Sequence, residues 1–488
     1  MSANRPNIVL VVLDTARFDE VMTCVNDIQT TPFLQTLANE GATYTTAFSP
    51  APWTLPSHAS LFTGTYPSRH GAHAGHKQLN HSIPTLTEAF AANDYETVGV
   101  SNNTWISGEF GFERGFETFH RTWQYVQSDT DLGRAARTNE GVTKYRAVVK
   151  ALIDGNPLTN LLNAFYGKFL RKQHDKGAIQ TNDWIESWLS DRNDDPFFLF
   201  VNYLEPHLEY RPPSEHAKQF LPDGISYDEA MEIPQDAWRY IAKKTVLSDD
   251  ELDSLRALYR AEIAYLDERL RELRSILQKS NEWKNTIFVV LGDHGENIGE
   301  FGLMDHQYSL ADTLLHVPLV IHGGPFNNYG QIDSPVQLVD IPATLLECAG
   351  IDQSIFNKSI QGQSFHPDSD MRRSRVFAEY LAPQPSMEAL EQRVGKLPAG
   401  VRTYDRSLRT IRTDEWKLIR GSDGTRRLYR TEGEETDDKS ELYPDIAEHL
   451  ENQLDEWLNS FEHADVTDDA VRISKDTRNR LEELGYLQ

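Results

Sequence analysis

Four short runs of apolar, β-branched or aromatic residues punctuate an otherwise polar chain, at residues 7–13, 96–100, 197–203 and 286–291. Each is expected to be a strand buried on both faces, the habit of parallel sheets. Patterns of helical period lie between them. Residues 32–39 form one. Residues 252–277 form a longer one, in which Leu252, Leu255, Leu258, Ile263, Leu266, Leu270, Leu273 and Leu277 keep mostly three- and four-residue spacing. A Ser248-Asp249-Asp250-Glu251 capping box precedes it. This alternation predicts an α/β fold, a large mainly parallel sheet sandwiched by helices.

Residues 122–180 turn helical and polar with no strand signal, and are expected to be an insertion over one edge of the sheet. A further strand is expected at 317–321 and a helix at 339–350, closed by Gly350. Beyond residue 369 the texture changes to short alternating strands at 375–380, 408–412, 416–420 and 427–429, then an amphipathic helix at 446–461. The expected division is therefore a catalytic unit over residues 1–368 and a small α+β unit over 369–488, which suits a chain longer than one core usually serves.

Composition alters this picture mainly through charge. The chain has 488 residues, of which 39% are hydrophobic, and 74 acidic against 48 basic residues give a net charge of −26. Such a field disfavours nucleic acids and anionic membranes as partners. Cys24 and Cys348 are the only cysteines, so no disulfide framework and no cysteine zinc cluster is expected. The apolar run near the N-terminus is too short to span a membrane and lacks a signal-peptide cleavage pattern, so the expected location is cytoplasmic.

In a parallel sheet the ligand site lies beyond the carboxyl ends of the strands. Those ends deliver Asp14, then Glu205 and His207, then Asp293 and His294. Carboxylates and an imidazole converging there point to a divalent metal ion, with Zn, Mn, Ca or Mg as candidates. Thr54 lies just ahead of Pro56, which suits the first turn of a helix, so its hydroxyl is expected near the positive end of that helix's dipole. A metal held by Asp14, Thr54, Asp293 and His294 would activate the hydroxyl as a nucleophile. His58 follows by four residues and is placed to share its face, as a candidate catalytic group reaching a substrate oxygen, with a polar bridge under the loop as the alternative. His207 is a candidate acid or oxygen clamp, and His306, in Gly302-Leu303-Met304-Asp305-His306-Gln307, is another.

At these residues the chain resembles the sulfatase family of the alkaline phosphatase superfamily. The likeness runs from Pro6 to the final Gly485-Tyr486-Leu487. It is carried by Thr54-Leu55-Pro56-Ser57-His58-Ala59-Ser60-Leu61-Phe62-Thr63-Gly64, by Tyr66-Pro67-Ser68-Arg69-His70-Gly71, by Asn202-Tyr203-Leu204-Glu205-Pro206-His207 and by Leu291-Gly292-Asp293-His294-Gly295-Glu296. The resemblance implies a metal-dependent hydrolase of anionic esters and supports one metal ion firmly and a second only weakly.

Several positions depart from that pattern. The resemblance implies a Cys or Ser, matured to formylglycine, where Thr54 stands; threonine does not yield that aldehyde. His58 replaces the family's arginine, Thr15 the second of the paired aspartates, Asn102 and Asn103 a lysine and a histidine, and His306 a lysine. A threonine beside Asp, Asp and His is similar to the phosphodiesterases and phosphoryl-group transferases of the same superfamily. The leading expectation is a phosphoester hydrolase, acting on a diester or monoester of small-molecule, glycan or lipid type. The alternatives are a sulfatase working without formylglycine, a soluble phosphoryl transferase, and a binding protein on a retired hydrolase scaffold.

Overall fold

A computed structural model describes residues 5–25, 27–122, 175–356, 359–370, 372–433 and 435–465. The expected insertion falls mostly outside these residues, and so does the C-terminal end of the family likeness.

Eight strands form the main sheet: β1 (Asn7–Leu13), β2 (Ala42–Tyr44), β3 (Glu96–Ser101), β4 (Thr118–Arg121), β5 (Phe197–Tyr203), β6 (Thr286–Gly292), β7 (Leu319–His322) and β8 (Gly330–Ile332). Their order across the sheet is β8-β2-β7-β6-β1-β5-β3-β4. β1 lies at the centre, parallel to β5 with Leu13 opposite Tyr203, and parallel to β6 with Leu13 opposite Gly292. This register brings the carboxyl ends of β1, β5 and β6 level. β7 alone runs against the others.

Every residue of β1, β5 and β6 is buried, as continuous apolar runs in a parallel sheet require. Two groups of helices account for the covering. In one, α4 (Asp249–Lys279) packs against α1 (Pro32–Glu40) and α3 (Ala178–Asp191). The Ser248–Glu251 capping box is present at its start. Asp267 within α4 accepts the Phe33 and Leu34 backbone N–H groups at 2.8 Å, holding the start of α1 against it. In the other group, α2 (Thr54–Thr63) packs on α5 (Ile341–Cys348), beyond which Gly350 takes φ 67°.

The strand expected at 317–321 divides at Pro318. His316–Val317 pairs with Ala47–Phe48 in a separate small sheet, while β7 pairs with β6. Proline has no N–H to continue a ladder, so the change of partner falls there.

The C-terminal residues form an antiparallel sheet of β9 (Val376–Tyr380), β10 (Leu408–Arg412), β11 (Trp416–Gly421) and β12 (Arg426–Arg430), covered by α6 (Pro444–Leu458). Tyr66 and Val339 join Phe377, Leu418, Leu428 and Leu450 in the core between them. Glu379 on β9 accepts the Ser68 N–H at 2.8 Å, and Tyr66 donates its hydroxyl to Gln337 at 2.7 Å. The segment Tyr66-Pro67-Ser68-Arg69 thus fastens the C-terminal sheet just after the helix that begins at Thr54.

Candidate active site

The helix α2 starts at Thr54, with extended backbone at Trp53 and Pro56 in its first turn. Its far end is closed by Gly64 at φ 64°, where a Cβ would approach Ile360 to 2.5 Å. All ten residues of α2 are buried. Thr54 therefore sits at the positive end of a helix shielded from water, where its hydroxyl feels the dipole with little screening.

β1 ends on Asp14 and β6 on Asp293 and His294, all three with no exposed surface. Their ligand atoms lie within 4.8 Å of one another. Asp293 Oδ1 accepts the N–H groups of Thr15 at 3.1 Å and of His294 at 2.9 Å. Thr15 adopts φ 60° to aim its N–H there, an uncommon conformation for a β-branched residue. Asp293 Oδ2 and Asp14 Oδ1, in contrast, have no hydrogen-bond partner. Two fully buried carboxylate oxygens, with His294 3.3 Å from Asp293 Oδ2 and 3.9 Å from Asp14 Oδ1 and with His58 also 3.3 Å from Asp293 Oδ2, are the environment that a divalent cation completes.

His294 Nδ1 lies 2.9 Å from the Gly295 carbonyl oxygen. A carbonyl only accepts, so Nδ1 carries the proton and Nε2 presents its lone pair to the cluster. Gly295 is required at its position because a Cβ would meet the Thr313 carbonyl oxygen at 2.0 Å. Burial drives the His294 imidazolium down to about 4, partly offset by Asp293, so the ring is neutral near pH 7. Asp14 is raised well above the ordinary carboxylate range by burial and by repulsion from Asp293. Burial also raises Asp293, but His294, His58 and the Thr15 N–H outweigh it and hold this carboxyl below its usual value.

Thr54 Oγ1 lies 3.2 Å from His294 Nε2, so the expected quartet of Asp14, Thr54, Asp293 and His294 comes together. Asn103, at the end of β3, donates Nδ2 to Asp14 Oδ2 and stands 3.5 Å from Thr54 Oγ1. Its part in the site was not read from the sequence, which placed it only as a departure from a family pattern.

The histidines distribute unevenly. His58 turns behind the nucleophile: Nδ1 is 3.0 Å from the Thr54 carbonyl oxygen and 3.3 Å from Asp293 Oδ2, while its ring meets Phe112 and Phe200 edge-on. It faces Asp293 and the aromatic core where the sequence placed it toward a substrate oxygen. His306 sits with its ring centroid 4.6 Å from that of His294, and His207 follows 5.3 Å from His306. Burial lowers His207 to about 3, with His306 adding to the effect. His306 pairs with Asp305 and lies 3.7 Å from Glu296; burial lowers its pKa, but these two carboxylates outweigh it and raise it well above the ordinary value. Asp305 and Glu296, both buried, were present in quoted motifs but not singled out, although Asp305-His306 repeats the Asp293-His294 pair.

Glu205 stands apart from this cluster. Its Oε1 accepts the Lys176 N–H at 2.7 Å, and burial beside Asp175 and Glu262 raises its carboxyl to about 8. It takes no place in the Asp14 group. Among the described residues, no helix is long and apolar enough to cross a membrane.

Comparison with known proteins agrees with this architecture. Residues 6–351 match the Sulfatase family model. Arylsulfatase K of Rattus norvegicus is 25% identical over 486 residues, covering 94% of this chain and 78% of that protein. Phosphonate monoester hydrolase of Agrobacterium radiobacter superposes with a TM-score of 0.67 at 18% identity, over 93% of this chain and 96% of its own. A protein solved in complex with its substrate D-glucosamine-2-N,6-O-disulfate gives a TM-score of 0.68 at 18% identity, over 93% of this chain and 98% of its own. A match across most of the chain, resting on the strands and loops that build the buried cluster, makes this protein a member of the sulfatase family, whose relatives are hydrolases of the sulfatase and phosphoesterase superfamily.

Proposed function

We propose that the chain is a metal-dependent phosphoester hydrolase in which Thr54 is the nucleophile. The observation that carries the reading is the 3.2 Å approach of Thr54 Oγ1 to His294 Nε2, inside a fully buried group with two unpartnered carboxylate oxygens. Asp14, Thr54, Asp293 and His294 would hold the cation. When bound it supplies positive charge that lowers the pKa of the threonine hydroxyl and stabilises charge developing on the ester.

The chain's own groups complete the arrangement. The start of α2 directs backbone N–H groups at the anionic ester, and burial strengthens every charge interaction in the site. Asn103 orients Asp14 and Thr54 together. His58 holds Asp293 in place. His207 and His306 form the wall on the far side of His294, where they position the ester and assist the leaving oxygen. In the first step the Thr54 Oγ1–P bond forms as the P–O bond to the leaving alcohol breaks. In the second, water attacks phosphorus and returns Thr54 with its hydroxyl proton.

Phosphorus rather than sulfur follows from the nucleophile. Threonine is a secondary alcohol, so its oxidation gives a ketone, not the aldehyde from which a formylglycine diol is made. A threonine sulfate would lack a second hydroxyl to expel the sulfate, whereas a threonine phosphate is cleared by water. The likeness to a phosphonate monoester hydrolase fits this chemistry. The test is a paired assay of an aryl sulfate, a phosphate monoester and a phosphodiester on metal-reconstituted protein, with Thr54→Ala as control. Faster turnover of a phosphoester, lost in the variant, is expected; faster turnover of the sulfate would overturn the reading.

A further inference from the structure

We propose that Tyr259 is a positioning residue that holds Asp14 and Asp293 at the spacing a cation needs before any cation arrives. Tyr259 in this role rests on the cation reading of the proposed function and not on Thr54 being the nucleophile.

Tyr259 is fully buried on α4, a helix of 31 residues that serves as a rigid post. Its hydroxyl reaches the strap of residues 14–17 that follows β1, across 244 and 242 positions of sequence. It donates to the Thr15 carbonyl oxygen at 2.7 Å and accepts the Arg17 N–H at 3.0 Å. Both partners are main-chain groups, one on each side of Ala16. The hydroxyl therefore fixes the path of the backbone rather than the rotamer of one side chain.

That path is one the strap would not keep unaided. Thr15 stands at φ 60°, a strained conformation for a β-branched residue. Relaxing it would turn the Thr15 N–H away from Asp293 Oδ1, which it meets at 3.1 Å. Tyr259 thus acts on Asp293 through Thr15. Arg17 completes the brace, since its Nη1 donates to the Glu296 carbonyl oxygen at 3.1 Å and to Glu300 at 2.7 Å. The strap that begins with Asp14 is fastened at two points to the segment that carries Asp293 and His294.

Charge explains why the site needs a brace. Asp14 and Asp293 are buried with no exposed surface, and like charges in such surroundings repel with little screening. A bound cation cancels that repulsion. Until it binds, a phenol on a rigid helix resists the repulsion without adding a charge of its own, so less ordering is left for the binding step. The competing role for Tyr259 is to fill space against Tyr210, whose ring centroid lies 5.4 Å away. Phenylalanine would fill that space equally well.

Tyr259→Phe separates the two roles, because it keeps the ring and removes the hydroxyl. The full chain is stripped with a chelator and titrated with zinc by calorimetry. The variant is expected to bind zinc about 10- to 100-fold more weakly, as on losing an outer-shell partner. Glycine takes φ 60° without strain, so in a Thr15→Gly background the same change is expected to cost less than about threefold. Equal zinc affinity in the wild type and Tyr259→Phe, or an equal loss in both backgrounds, overturns the proposal. Amide hydrogen exchange of the metal-free protein, read by mass spectrometry on a peptide spanning residues 14–17, judges the strap with no metal present. Exchange about tenfold faster is expected in Tyr259→Phe, and an unchanged rate overturns the proposal. A wild type that binds no zinc would overturn the proposed function, while the exchange result would still decide whether Tyr259 fixes the strap.

Discussion

Ser57 Oγ donates to the Asp293 carbonyl oxygen at 2.7 Å, across 236 positions of sequence. This bond ties the first turn of the helix bearing Thr54 to the strand end bearing Asp293 and His294. It sets the separation between nucleophile and cation ligands, so Ser57→Ala should act on the reaction more than on metal binding. The expected cost is about 1–2 kcal/mol in stability, from a buried carbonyl losing its donor, and about tenfold or more in kcat. Urea unfolding and steady-state kinetics check it; an unchanged kcat would mean that the bond does not position Thr54.

Asn103 is the only side chain among the described residues that donates to Asp14 Oδ2. Asn103→Ala removes that donor and is expected to weaken cation affinity about 10- to 100-fold, the usual effect of losing an outer-shell partner. Calorimetric titration of the metal-free protein measures it directly. Equal affinities in the two proteins would count against Asn103 as an orienting group.

Metal removal should reveal opposed signs. In the metal-free protein Asp14 and Asp293 repel, so Asp14→Asn is expected to leave stability equal or higher. With metal at about a thousand times its dissociation constant the wild type gains about 4 kcal/mol, and the variant loses most of that gain. Thermal unfolding of both proteins with and without metal checks the reversal. A variant that is less stable than the wild type without metal would contradict it.

A pH effect is expected where the C-terminal sheet meets the short helix Asp312–Leu315. Asp312, partly buried, accepts Lys417 Nζ at 2.7 Å and Arg412 at 2.6 Å. Burial raises its carboxyl, but the two cations outweigh it and hold it at about 2, below the ordinary 3.8. A depressed carboxylate stabilises the fold above its unfolded pKa, and that contribution fades as pH falls from about 4 toward 2. Asp312→Asn should therefore cost about 1–2 kcal/mol at pH 7, allowing for solvent exposure, and progressively less in acid. Urea unfolding from pH 7 to pH 3 tests this; a difference independent of pH would assign the effect to packing.

The parts of this molecule that could be read in the sequence are those with a one-dimensional signature. β1 and β5 match their expected bounds because both faces are buried and the apolar run is the whole strand. β2, β4 and β8 were not read: each has three or four residues, and polar positions such as the half-buried Thr43 and the exposed Thr118 and Gln331 break any apolar pattern. The quartet of Asp14, Thr54, Asp293 and His294 was legible because every member sits at a strand end or helix start that the pattern locates. The direction of His58 was not, since four-residue spacing gives a shared helix face but not which neighbour the ring meets. Nor was the tie between Asn103 and Asp14, which depends on β3 and β1 both lying beside β5. Sheet order is a tertiary fact.

The stereochemical course at phosphorus tests the central claim most directly. A phosphodiester made chiral at phosphorus with sulfur and oxygen isotopes is hydrolysed by metal-reconstituted enzyme, and the product's configuration is read by phosphorus NMR. Attack by Thr54 followed by attack of water inverts the centre twice, so net retention is expected, with activity lost in Thr54→Ala. Net inversion would mean that water attacks phosphorus directly, and it would remove Thr54 from the role of nucleophile.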